Sequence, residues 1–199
     1  MKKAQLEAFA ENIERNDQMK VAVYFATGYE EIEALGTVDI LRRAGIEVIL
    51  VGVDGKKVTS SHKISIEMDA VIEDVDHNEI DMMVIPGGVP GVNNLAASWL
   101  LMENLKKFKN EGKWIAAICA APGVVLGQAG LLEDQKATCY PGYEENLLGC
   151  EYVDEKVVVS GKFISAKGAG VSLEFAYKIL EILKDKETAD FIRHKMIAD

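Results

Sequence analysis

The chain alternates between short apolar runs of strand character and longer stretches with a helical apolar period, and no other sequence property narrows its fold as much. Strand-like runs occupy KVAVYFA (20–26), IEVILVGVD (46–54), DMMVIPGG (81–88) and WIAAIC (114–119). The spacing predicts a helix over 30–45, with Ile32, Leu35, Val38 and Leu41 on one face and Gly45 as its stop. Further helices are predicted over 99–112 and 122–132. KISIEMDAVI (63–72) carries strand alternation, KATCYP (136–141) reads as a short strand, and YEENLLG (143–149) as a helical turn. A hairpin around Ser160 and Gly161 is predicted within 156–168, followed by helices over 172–183 and 187–197. Such alternation requires an α/β fold, a mostly parallel sheet with helices on both faces. Ligands of such sheets bind beyond the carboxyl ends of the strands. Three turns sit at such ends: 28–33, 87–91 and 119–123.

A chain of 199 residues with 49% hydrophobic residues can form one domain with a full core, needing no disulfide or metal staple. That domain is expected over 20–199. Before it, Leu6, Phe9, Ala10 and Ile13 recur at helical spacing, so 1–19 reads as an amphipathic helical extension. A net charge of −10 opposes nucleic-acid binding, which needs clustered Lys and Arg. Lys106, Lys107 and Lys109 do cluster, but Glu103 and Glu111 flank them, as on a solvated helix face. No apolar run approaches the ~18 residues of a membrane span, and the first residues lack the apolar core of a signal peptide. The expectation is a cytoplasmic protein without a membrane partner. Cys119, Cys139 and Cys150 have no metal-ligand spacing and are expected as thiols, with no metal or cofactor.

Cys119 carries the strongest chemical signal. It follows a wholly apolar strand, and small Ala120 and Ala121 permit a sharp turn before Pro122 opens a helix. This is the layout of a nucleophile elbow without the usual G-x-S-x-G. A thiol at a helix start should have a lowered pKa, although an inert buried cysteine fits the local sequence as well. Gly87 and Gly88 end another strand and allow a backbone N–H to approach a substrate, as an oxyanion donor must. Glu30, Glu31 and Glu33 crowd a helix start, which dipole compensation alone explains. If Ile32 faces the sheet, Glu33 lies to one side near the crevice, where a desolvated carboxyl could donate to a thiolate.

Four stretches together resemble the ThiJ/PfpI superfamily of the class I glutamine-amidotransferase-like fold, and most of all the subfamily of the Parkinsonism-associated deglycase. They are EEIEALGTVDILRRAG (30–45), DMMVIPGG (81–88), AAICAAP (116–122) and AKGAGVSLEFA (166–176), and the likeness runs from about Lys20 to about Lys186. The resemblance implies a flavodoxin-like three-layer sandwich with a cysteine nucleophile elbow, usually a homodimer. It makes Cys119 the nucleophile and Glu33 a protonated partner of its sulfur, with the N–H groups of Gly88 and Ala120 as oxyanion donors. It also implies glyoxalase or deglycase activity on reactive dicarbonyls such as methylglyoxal, or on their protein adducts. The alternative is a redox sensor or chaperone that forms a Cys119 sulfinate with little turnover.

One departure narrows these expectations. Relatives commonly place a histidine on the strand after the elbow helix, where this chain has Tyr140. His62, His77 and His194 lie in no recognisable motif, so a protease or glutaminase lacks its imidazole. Tyr140 and Cys139 remain as accessory candidates, for orienting substrate and for resolving an oxidised Cys119.

Overall fold

A computed structural model describes residues 19–198; apart from Met19, the helix predicted within 1–19 lies outside the described residues. In chain order, β1 (Lys20–Phe25) leads into α1 (Glu31–Arg43) and β2 (Glu47–Gly52). Three short strands follow: β3 (Lys57–Thr59), β4 (Ser65–Glu67) and β5 (Ala70–Val71). Next come β6 (Met82–Ile85), α2 (Gly91–Ala97), α3 (Trp99–Glu111) and β7 (Trp114–Ile118). A π-helical segment (Pro122–Gly127) precedes the two-residue strands β8 (Lys136–Ala137) and β9 (Glu151–Tyr152). The chain closes with β10 (Val157–Ser160), β11 (Phe163–Ala166), α4 (Ser172–Leu183) and α5 (Lys186–Lys195).

The main sheet has the order β10-β11-β7-β6-β1-β2-β5, with every pairing parallel except β10 with β11. The path leaves β1 toward β2 and later returns on its other side as β6, which makes the β1/β6 boundary the switch point. Central β1 is apolar on both faces because both are covered. Val21, Val23 and Phe25 pack with residues of α1, α4 and α5, while Ala22, Tyr24 and Ala26 pack with those of α2 and α3. This is the expected three-layer sandwich, with the predicted hairpin present as β10 and β11.

Several local expectations change. The run 63–72 does not form one strand: Met68 turns into the core, and Asp69 exchanges backbone hydrogen bonds with Leu50 through its N–H and carboxylate. That fastening leaves β4 in a separate hairpin with β3 and moves β5 to the main sheet. The helix expected over 122–132 stops at Gly127, where a Cβ would lie 2.3 Å from the Asn146 carbonyl oxygen. The strand expected over 136–141 ends at Ala137, because the Tyr140 N–H donates to the Cys119 carbonyl instead of to a sheet neighbour. The predicted turn at 143–149 is a single 3-10 turn, Glu144–Asn146. Finally, Ile32 is 56% exposed and does not face the sheet as expected, while Glu33, 1% exposed, is the desolvated carboxyl that its place near the crevice allowed.

Candidate active site

Cys119 stands one residue beyond β7 with φ of 67°, a left-handed conformation that a cysteine seldom adopts. Two backbone bonds hold it there. Its N–H donates to the Ala166 carbonyl on β11 at 2.9 Å, and its own carbonyl accepts from Tyr140 at 2.8 Å. The elbow is therefore clamped between the end of the neighbouring strand and the loop after β8. This conformation turns the side chain away from the sheet and toward the turn after β6.

Glycines make that meeting tight. A Cβ on Gly87 would lie 2.5 Å from Cys119 Cβ and 2.6 Å from Glu33 Oε2, so no other residue fits between the thiol and the carboxyl. Gly88, at φ of 95°, passes so close to the 28–30 backbone that a Cβ would sit 2.5 Å from Gly28 O. The Gly87 carbonyl accepts from Glu30 N–H at 2.9 Å, and the Gly87 N–H donates to Glu33 Oε2 at 2.8 Å. Glu33 is oriented at its own end as well, because its N–H donates to the capping Glu30 carboxylate at 2.8 Å. Its other oxygen, Oε1, is buried without a hydrogen-bond partner among the described residues. The switch-point turn thus delivers a carboxyl to a thiol from three separate segments.

The electrostatics differ from the expectation of a lowered thiol pKa. Burial pushes Glu33 up to about 7, against the lowering pull of Cys119 and the Gly87 N–H. Burial, then the Glu33 charge and contact, push Cys119 up to about 12, while the N–H groups of Ala120 and Gly88 act in the opposite direction. The helix after the elbow is only six residues long, so its dipole is too small to overcome burial beside a carboxylate. Such a pair titrates as a unit: its first proton leaves near pH 7 and its second only in strong alkali.

Cys119, Glu33, Gly88 and Ala120 are therefore brought together. Tyr140, half exposed, lies against Gly168 on the same side as the Cys119 sulfur, whereas Cys139 is fully buried in the core cluster beneath α2 and α3. Cys150 is half-buried beside that cluster. Gly168 was missed as a site residue: a Cβ there would lie 3.8 Å from Cys119 Sγ. Its place in AKGAG, directly after an apolar strand, was the available signal. Glu30, Glu31 and His62 are the one group among the described residues whose ligand atoms lie close enough to hold a metal, within 4.8 Å of one another. Glu31 already accepts from Ser60 and His62, and Glu30 caps α1.

Comparison with known proteins shows which family the chain belongs to. Protein dj-1beta of Drosophila melanogaster is 39% identical over 168 residues, covering 83% of this chain and 89% of the relative. DJ-1 homolog B of Arabidopsis thaliana is 37% identical over 172 residues, but the chain spans only 39% of that relative's length. A glutathione-independent glyoxalase of Caenorhabditis elegans is 36% identical over 79% of this chain and 84% of its own. A deglycase of Pyrococcus abyssi is 29% identical over 83% of this chain and all of its own. The structure of oxidized Toxoplasma gondii DJ-1 superposes with a TM-score of 0.86 at 40% identity, covering 90% of this chain and 98% of that one. No helix among the described residues is long and apolar enough to cross a membrane. With the DJ-1/PfpI family model matching residues 19–182, the chain belongs to the DJ-1/PfpI family.

Proposed function

We propose that this protein is a cofactor-independent glyoxalase acting on 2-oxoaldehydes such as methylglyoxal, or on their early adducts with proteins. The observation that carries the reading is the Glu33 carboxyl held against a clamped, strained Cys119 thiol. A thiol near 12 is a poor nucleophile alone. Glu33, near 7, is well matched to take its proton as a carbonyl approaches. The Cys119 sulfur then forms a bond to the aldehyde carbon, and the carbonyl π electrons move onto oxygen. That oxygen receives the N–H groups of Gly88 and Ala120, and then the proton from Glu33.

The resulting hemithioacetal isomerises when Glu33 removes the hydrogen on its carbon and the adjacent ketone carbon is reprotonated, giving a 2-hydroxy thioester. Water releases the 2-hydroxy acid and restores the thiol. The balance is one 2-oxoaldehyde plus one water to one 2-hydroxy acid, with no external oxidant or reductant. Lactate formation from methylglyoxal tests the reading. Wild type should produce it and Cys119→Ala should not; equal rates in the two proteins overturn the proposal.

A second reading rests on the same donors. The N–H groups of Gly88 and Ala120 and the O–H of the protonated Glu33 carboxyl could donate to the oxygens of a sulfinate, formed from two peroxides with release of two waters. Mass spectrometry after mild peroxide should show two oxygens on Cys119 before Cys139 or Cys150 changes. Uniform oxidation of all three opposes it. The proposal extends to a cytoplasmic homodimer: three free thiols suit a reducing compartment, and exposed Ile32 and Leu173 on neighbouring helices offer apolar contact area. Sedimentation at micromolar concentration should give twice the mass of the 21.8 kDa chain.

A further inference from the structure

We infer that Tyr140 is a specificity-determining residue that makes this site favour aromatic 2-oxoaldehydes over methylglyoxal; the inference rests on the glyoxalase reading above. The packing of Tyr140 on Gly168, beside the thiol, is what points there. A Cβ on Gly168 would meet Tyr140 Cδ2 at 3.1 Å, Tyr140 Cε2 at 3.6 Å and Cys119 Sγ at 3.8 Å. The ring therefore packs directly on Gly168, and because that residue has no side chain, ring and nucleophilic sulfur can both lie against it. A group bonded to the sulfur through the aldehyde carbon has the exposed part of that ring as its neighbour.

The ring is also held in advance. Tyr140 N–H is tied to the Cys119 carbonyl at 2.8 Å, so ring and thiol share one backbone anchor. Tyr143 meets the ring edge-on at 6.5 Å between centroids and 67° between planes, and its N–H returns to the Tyr140 carbonyl at 3.1 Å. Yet Tyr140 is 49% exposed, which leaves aromatic surface for a substrate to cover. Val89, next to the Gly88 donor, is exposed and apolar too. The groups acting on the thiol are Glu33 and two backbone N–H groups, with no cation among them, and nearby Lys167 is engaged by Asp154. Among the described residues the thiol thus has an aromatic ring beside it and no free cation to pair with a carboxylate or phosphate. A neutral aryl substituent is the substrate group that this setting fits, by offset or edge stacking on the phenol.

The chemistry is unchanged: phenylglyoxal plus water gives mandelate, as methylglyoxal plus water gives lactate. The test compares kcat/KM for the two in wild type, Tyr140→Phe and Tyr140→Ala. Wild type should prefer phenylglyoxal about tenfold beyond the ratio of their reactivities with free thiol, roughly the worth of one good aromatic pair. Tyr140→Phe should keep that preference, because the ring and not the hydroxyl supplies it. Tyr140→Ala should lose it, with unchanged circular dichroism showing that the fold is intact. The same preference in Tyr140→Ala as in wild type overturns the inference.

A second measurement separates this from failure of the glyoxalase reading. Alkylation of Cys119 by N-phenyl- and N-methyl-chloroacetamide, followed by mass spectrometry and referenced to glutathione, needs no turnover. If no hydroxy acid forms from either aldehyde, the glyoxalase reading falls. The aryl preference in alkylation, present in wild type and absent in Tyr140→Ala, then supports the ring's role, and its absence in wild type refutes it.

Discussion

Two buried polar pairs lie on opposite sides of β1, and they differ in what faces them. Glu33, on α1, meets the Cys119 sulfur at the switch point. Tyr24, on β1 itself, stacks on His77 within the layer of α2 and α3, with centroids 6.1 Å apart and planes at 15°. Each pair keeps orphaned atoms among the described residues: Glu33 Oε1 in the first, Tyr24 Oη and His77 Nε2 in the second. In the first, the orphaned oxygen lies beside a nucleophile that is only partly buried, and a proton can be exchanged. In the second, nothing reactive stands nearby, and burial simply pushes Tyr24 up and His77 down. An unsatisfied buried group is evidence of chemistry only when a second reactive group faces it; otherwise it is a cost to stability.

The comparison breaks most directly at the thiol. Cys119→Ala should reduce lactate formation to the uncatalysed background, whereas His77→Phe should leave kcat/KM within about twofold of wild type. Next comes Glu33→Gln, which keeps the shape but cannot accept a proton. Its kcat/KM should fall about 100-fold or more, the usual worth of a positioned acid–base group. Wild-type alkylation of Cys119 by iodoacetamide should rise through about pH 7, as the pair loses its first proton. In Glu33→Gln that rise should be absent near 7.

Stability sharpens the contrast because Glu33 and His77 shift in opposite directions relative to their stabilising protonation state. Glu33 is raised from 4.5 to about 7 on folding, so between those values the folded state holds more protons than the unfolded one. Stability therefore falls as pH rises through this window, by up to about 3 kcal/mol for the shift. Urea unfolding at pH 5 and pH 8 should show this loss in wild type and not in Glu33→Gln. His77 is lowered by burial, with Lys107 adding to the shift and the Val75 carbonyl and Asp76 opposing it. The unfolded state then binds the extra proton, and stability falls as pH drops through about 6.5. His77→Phe should reduce that acid loss, read as a flatter acid limb in urea unfolding between pH 7 and pH 5. An acid limb unchanged in His77→Phe would show that the stacked pair carries no titration cost.

The residue patterns carry most of the architecture. Apolar runs in β1, β6 and β7 identify strands buried on both faces, and the period of α4 places its ends at Ser172 and Leu183 as expected. The elbow was legible too, because Ala120, Ala121 and Pro122 leave few options for a chain leaving an apolar strand. The outward turn of Ile32 at the start of α1 was not. Hydrophobicity favours burying Ile32, yet the Gly87 N–H and the Glu30 cap draw Glu33 inward and leave Ile32 out. Periodicity weighs one residue against its helical neighbours and has no knowledge of a donor 54 positions away. The short segments after the elbow were misjudged for a related reason. Gly127 and Tyr140 answer to backbone groups on other elements, and local propensity is overruled where such long-range bonds form.

What the sequence by itself determined is the layered α/β frame, the strained cysteine at a strand end and the glycines that let another turn approach it. These follow from period, residue size and allowed backbone angles, all of which are local. Only the tertiary structure decided the protonation of the site. The Glu33 carboxyl becomes a base near neutrality, and the Cys119 thiol depends on it, because folding removes both from water and sets one against the other. The opposite pH dependence of His77 has the same origin. A pKa depends on what surrounds a charge in space, and those surroundings are assembled from residues far apart in the chain.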